Sequence, residues 1–293
     1  MKKILLALSL LVVAVACNKK DSWVPYDLGS GNTGGGGTGG GGTGGGGTGG
    51  GSGLVVSRVQ NVFAMNFSGN WCGPCGANGI PALYTLSTTH GAKFSGMKIG
   101  LNDPFTIGDG SSMAGQYGVS GIPAYVAGAE FHQSSTSWTN AVNTIVATVP
   151  ANVKAGVALR RTKVGDSVYV DTKVEFFQAM PAGNYSLAVY LIENNIAGVS
   201  QAGQSDPNFR HKFVFRGSAT PIPTKPLVGT WGAELESSNT AIPQGKTYEI
   251  TYGYVAPQGL TPAVNLMNCQ AIAVIFETDA SGKPIRVINS NRI

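Results

Sequence analysis

One stretch constrains this chain more than any other: Trp71-Cys72-Gly73-Pro74-Cys75. Two cysteines two residues apart, with Gly-Pro between them, behave as a unit. Where such a C-x-x-C opens a helix, the first sulfur lies among unpaired backbone N–H groups at the positive end of the helix dipole, which favour its thiolate. A thiolate attacks a disulfide, and the second cysteine then resolves the mixed disulfide. Cys72 is therefore read as an exposed nucleophile of low pKa and Cys75 as a buried resolving thiol.

The N-terminus says where such chemistry would operate. Lys2 and Lys3 precede an apolar run from Ile4 to Val15, too short to span a membrane as a mature helix, and it ends Ala14-Val15-Ala16-Cys17. This resembles a bacterial lipobox, which implies a signal peptide over 1–16 and lipid on Cys17. Losing Lys2 and Lys3 would lower the formal net charge of +5 to +3. That mild charge has no dense Lys/Arg run and gives no sign of nucleic-acid binding. Export permits a lasting disulfide. The four cysteines then sort into Cys17 for lipid, Cys72 with Cys75 as a pair, and Cys269 left over as a buried thiol.

From Gly31 to Gly53 the chain repeats Thr-(Gly)4 and holds 17 of its 43 glycines. Such a segment has no side chains to bury, and the composition predicts a flexible tether over 17–53 with a reach of roughly 25–30 Å. Folded sequence is expected from Leu54. Val62–Phe67 reads as a buried strand, followed after Cys75 by a weak helix through Ala82-Leu83-Tyr84 that Pro81 could kink. Met97–Leu101 is a second strand, and Ser111 or Ser112 is expected to cap a short helix through Tyr117. Ala124–Ala127 and Glu130–His132 form a hairpin turning at Gly128. Trp138, Ala141, Val142, Ile145, Val146 and Val149 line one face of a helix over Ser137–Val149, ended by Pro150.

Beyond Ala155 the texture changes. Ser167–Phe177, Tyr185–Glu193, Lys212–Phe215, Thr247–Tyr254, Ala271–Phe276 and Ile285–Asn289 read as strands, joined by connectors such as Met180-Pro181-Ala182-Gly183-Asn184. Short strands at this spacing argue an all-β sandwich.

Two resemblances follow from these residues. The motif at 71–75 is identical to that of thioredoxins, and Gly121-Ile122-Pro123 resembles the thioredoxin loop whose proline is cis and faces the cysteines. Lys98 resembles the buried lysine of the thioredoxin central strand. More finely, the chain is similar to the Omp28-related lipoproteins of Bacteroidetes-type bacteria. Asn66-Phe67-Ser68-Gly69-Asn70-Trp71-Cys72 resembles that family's lead-in to the cysteine, and Tyr117 to Pro123 its Gly-Val-x-Gly-x-Pro. Ala188 to Ile196 with Arg210 to Gly217, and Asn268 to Phe276, resemble its later strands. The resemblance implies an α/β thioredoxin-like domain over 54–150 and an all-β, Ig-like sandwich over 151–293. Two positions depart from the thioredoxin pattern. Asn66 stands where thioredoxins keep a buried Asp, and Asn is no base, which implies slower resolution or a route through water. Gly76 stands where many carry lysine.

The implied function is thiol–disulfide exchange on exported proteins, in the reductase or isomerase direction, with an unidentified redox partner and no cofactor. Cys72 and Cys75 would be catalytic. Trp71, Gly73, Pro74, Ile122 and Pro123 would bind substrate, with Asn66 and Lys98 in support. Two other readings of the cysteine pair stand beside it. One is a static disulfide, although so short a loop constrains the unfolded chain little. The other is a metal site, although His90, His132 and His211 are scattered and no second cysteine pair exists. His211, between Arg210 and Lys212, reads as a residue on a sandwich face. The rival function is a non-enzymatic surface lipoprotein for adhesion, capture or assembly, with the thioredoxin-like part as scaffold. Either form is expected at the outer membrane, facing the periplasm or the cell surface.

Overall fold

The computed structural model describes residues 53–293. Cys17, the segment 1–16 and the tether up to residue 52 lie outside the described residues. The described chain is mostly β, with mixed sheets and three α-helices. Its first part runs β1 (Val62–Ser68), a π-helical turn (Cys75–Gly79) leading into α1 (Ile80–His90), β2 (Phe94–Gly100), α2 (Gly108–Gln116), β3 (Ala124–Ala127), β4 (Glu130–His132) and α3 (Ser135–Val146). A 3-10 turn at Pro150–Asn152 leads on to β5 (Ala155–Val164), β6 (Ser167–Phe176), β7 (Met180–Glu193), β8 (Val214–Ser218) and β9 (Thr220–Ile222). The chain closes with β10 (Ala233–Glu234), β11 (Thr240–Ile242), β12 (Thr247–Val255), β13 (Cys269–Thr278) and β14 (Pro284–Arg292).

Several local expectations need correcting. Pro81 does not kink α1; it occupies the first turn, where a missing N–H costs little, and the irregularity is the π turn before it. Ser111 and Ser112 lie inside α2, which begins at Gly108 with no side-chain cap and with Asp109 in its first turn. α3 starts earlier, where the Ser134 hydroxyl accepts the Ser137 N–H at 3.1 Å, and it stops at Val146, leaving Val149 exposed. The Trp138 ring stacks on Tyr125 and its indole N–H donates to the Val126 carbonyl at 2.9 Å, fixing α3 against β3.

One ten-stranded sheet crosses the whole described chain in the order β14-β13-β7-β8-β2-β1-β3-β4, with β10 and β11 added on β7. β1 and β2 are parallel; β2 meets β8 in parallel where Lys98 opposes Val214, and β8 passes the ladder to β7, where Val214 opposes Glu193. The sheet is thus continuous across residue 150. A second sheet, β5-β6-β12-β9, is antiparallel throughout.

β7 and β13 explain how the layers stack. Ala188, Tyr190 and Ile192 join Ile272, Val274 and Phe276 in the core shared with β1, β2 and the helices. Leu187, Val189 and Leu191 join Ala271, Ala273 and Ile275 in a second core against the four-stranded sheet. Alternate residues point to opposite faces, so strands buried on both sides read as unbroken apolar runs. β6 touches one core only and alternates between half-buried and buried.

Candidate functional site

β1 delivers the chain to the cysteine motif. After Ser68 the Cys72 N–H donates to the Gly69 carbonyl at 3.1 Å, and helical turns begin at Gly73. Cys72 therefore stands at the helix start, as its sequence context predicts. The two sulfurs are joined in a disulfide, with Cα atoms 5.2 Å apart, and the Cys75 N–H points at Cys72 Sγ from 3.1 Å. The Ile122–Pro123 bond is cis, and the Ile122 carbonyl oxygen lies 3.7 Å from Cys72 Sγ. Sites fifty residues apart thereby meet. Trp71 is 57% exposed, its indole N–H donating to the Leu101 carbonyl, and Pro74 is exposed beside it, whereas Gly73, Ile122 and Pro123 are half-buried.

Cys72 departs from expectation. It is only 4% exposed, and Cys75 is fully buried. A segment of the second half of the chain, Val199–Gln204, lies against the backbone of the motif. Its Ala202 N–H donates to the Asn70 carbonyl at 2.7 Å, the Asn70 amide donates to the Ser200 carbonyl, and the Gln204 amide bonds the Gly76 carbonyl. The Gln201 amide nitrogen donates to Gly69 O at 3.0 Å and to Cys72 O at 3.3 Å. The approach is close enough to dictate composition. A Cβ on Gly76 would overlap the Ala202 carbonyl oxygen, and one on Gly203, where φ is +82°, would overlap the Gly73 carbonyl. A strap of backbone thus lies where any side chain at position 76 would start.

Lys98 and Asn66 sit beneath the motif as register neighbours on β2 and β1. Asn66 is fully buried, and neither atom of its amide has a hydrogen-bond partner among the described residues. Lys98 is engaged instead by His211, whose Nδ1 lies 3.1 Å from Nζ, and its ammonium stands over the Phe105 ring at 4.7 Å. His211 Nε2 lies 3.1 Å from the Val199 carbonyl, which can only accept, so the proton belongs on Nε2 and Nδ1 accepts from the ammonium. His211 is fully buried, not on a sandwich face. Burial pulls Lys98 down to about 8, against the nearby Asp103 carboxylate. Burial, then the Lys98 charge, pulls His211 down to about 4. Burial raises Asp103, which accepts from the backbone N–H groups of Asn70 and Phe105.

The remaining cysteine behaves as an apolar core group. Cys269 is buried on β13, and burial pushes its thiol up to about 12.

No family model matches the chain, and no curated protein matches it. Solved structures do. HBP35 of Porphyromonas gingivalis aligns over 81% of this chain and 76% of its own, at 14% identity and a TM-score of 0.57. A structural-genomics target of Agrobacterium tumefaciens aligns over 81% of this chain and 95% of its own, at 11% identity and a TM-score of 0.52. The likeness is one of fold. A domain of the outer membrane lipoprotein Omp28 of Porphyromonas gingivalis covers 48% of this chain at 15% identity, with a TM-score of 0.30.

Sequence reasoning missed the strap and His211. Gln201-Ala202-Gly203-Gln204 has no periodicity, and a small, polar loop carries no signal of what it will touch. Only the paired glycines at 76 and 203 hint at a close backbone approach.

Proposed function

We propose that this chain is a lipid-anchored thiol–disulfide oxidoreductase of the outer membrane, acting on exported proteins in the reductase or isomerase direction. The observation that carries this reading is the Cys72–Cys75 disulfide at a helix start, with the Ile122 carbonyl oxygen of the proline loop 3.7 Å from Cys72 Sγ. The proposal includes a thioredoxin-like unit over 54–150, an Ig-like sandwich over 151–293 and lipid on Cys17. In the reduced protein the Cys72 thiolate attacks one sulfur of a client disulfide, forming a mixed disulfide and releasing the other client sulfur, which takes a proton. The Cys75 sulfur then attacks Cys72 Sγ, restoring the Cys72–Cys75 bond and freeing the second client thiol. Two electrons have passed to the client, and a dithiol donor must return them. Trp71, Gly73, Pro74, Ile122 and Pro123 form the docking surface in this reading, and Lys98 and Asn66 support the resolving step.

Insulin reduction with dithiothreitol tests it, together with a measured reduction potential. Wild type should accelerate turnover and Cys72→Ser should not. Equal rates, with a pair that glutathione cannot reduce, would sink the reading.

A second reading is favoured by one observation, the low exposure of Cys72. In it the chain is a surface lipoprotein for adhesion, capture or assembly, and the disulfide is inert. Full-length protein with Cys72→Ser and Cys75→Ser would then bind its surface target as the wild type does.

A further inference from the structure

Gln201 has a specific relation to the first cysteine. Its carboxamide nitrogen donates to the carbonyls of Gly69 and Cys72, the two peptide groups flanking the turn that enters the helix. The residue is buried, and its own Oε1 has no hydrogen-bond partner among the described residues. A buried primary amide with its N–H groups on that turn presents the positive end of its dipole there, in a region shielded from water. It adds to the field of the helix start and to the Cys75 N–H aimed at Cys72 Sγ.

We propose that Gln201 is a positioning residue for Cys72: the second half of the chain sets the thiolate character of the first cysteine through this side chain. The proposal rests on the thiol–disulfide reading and deepens it, making the strap a determinant of reactivity. His211 anchors the far end of the same strap at Val199 O, and Ala202 N–H fixes it to Asn70 O, so the amide is held at both sides. The Gln201 N–H groups bond carbonyl oxygens and not the sulfur, so they act at one remove. A donor on the Cys72 carbonyl offsets the negative end of that peptide dipole beside the side chain, and its loss leaves the surroundings of Sγ more negative and raises the thiol pKa.

The test uses the full chain, reduced, and reads the pH dependence of Cys72 alkylation by iodoacetamide, resolved by peptide mass. Gln201→Met keeps length and packing but has no N–H; it should raise the Cys72 pKa by roughly half a unit to one unit, slowing alkylation below the pKa about three- to tenfold. Gln201→Glu places a carboxyl in the same space and should raise it further. Thermal midpoints are recorded for each variant. Unchanged titration in Gln201→Met, whatever its midpoint, overturns the proposal by leaving Gln201 a packing residue; if that variant does not fold, unchanged titration in Gln201→Glu does the same. Insulin turnover separates the two levels. A shifted pKa in a protein with no turnover refutes only the oxidoreductase reading, whereas normal turnover with an unshifted pKa refutes only the role of Gln201.

Discussion

Lys98 Nζ lies 3.1 Å from His211 Nδ1 across 113 residues of sequence, inside the junction where β2 meets β8. The pair joins the floor of the cysteine site to the strap that lies against it, because His211 also bonds Val199 O. A buried lysine held by a neutral imidazole, instead of a carboxylate on β1, distinguishes this site from the thioredoxin pattern that its motif resembles.

The imidazole should leave its mark on acid stability. His211 is depressed from 6.5 to about 4 in the folded protein, so between those values the unfolded chain binds more protons. Its contribution is therefore complete above pH 6.5 and is lost as pH falls toward 4. Urea unfolding across pH 4 to 7 should show this slope, and His211→Gln, which retains a donor for Val199 O and an acceptor for Lys98, should flatten it. His211→Leu leaves the ammonium without its acceptor and should cost about 1–3 kcal/mol at neutral pH.

Asn66 offers a gain of function. Asn66→Asp sets a carboxyl beside Lys98 in the β1–β2 register, facing Gly79 and Tyr125. Burying it should lower stability by about 1–3 kcal/mol. As a base it should speed resolution by Cys75 on the order of 10²-fold, read as decay of a Cys72 mixed disulfide. An unchanged decay would show that proton removal does not limit this step.

Gly76→Ala tests the strap directly. The new methyl meets the Ala202 carbonyl, which is backbone and cannot rotate away. Overpacking should cost about 1–3 kcal/mol. Cleavage by a nonspecific protease should begin within 199–204, where wild type resists it.

Arg216 and Glu193 form a buried ion pair at 3.0 Å near the same junction, with Glu193 also accepting the Asn265 N–H. Glu193→Leu strands the guanidinium and should destabilise by about 3–5 kcal/mol, whereas Glu193→Leu with Arg216→Met should recover most of that loss. Chemical denaturation of the two variants checks the difference. If the double variant is as unstable as the single, packing and not charge sets the cost.

Where a signal is local, it was legible in the residues. β1 shows as an apolar run, the β3–β4 hairpin by its turn at Gly128 with φ +61°, and α3 by its 3.6-residue period, although its ends shifted once Ser134 supplied the cap. Met180–Asn184 went the other way. Its proline and glycine read as a connector, yet it is the first part of β7, because Met180 and Gly183 pair with Ile242 and Thr240 of β11. That partner lies some sixty residues away, and no local propensity reports it.

The cysteine site divides along the same line. By itself the sequence determined the Cys72–Cys75 pair and its place at a helix start, since these depend on residue types at short spacing, whereas the meeting with the proline loop some fifty residues on was only what the thioredoxin resemblance implied. Tertiary structure alone decided that a strap lies against the motif, that Gly76 must be glycine, and that Lys98 answers to His211. These follow from one sheet running across the chain, which carries β8 to β2 and so brings Val199–Gln204 onto the motif. The physical reason is that a loop's hydrogen bonds to a distant backbone involve peptide groups, which every residue has and no sequence pattern marks.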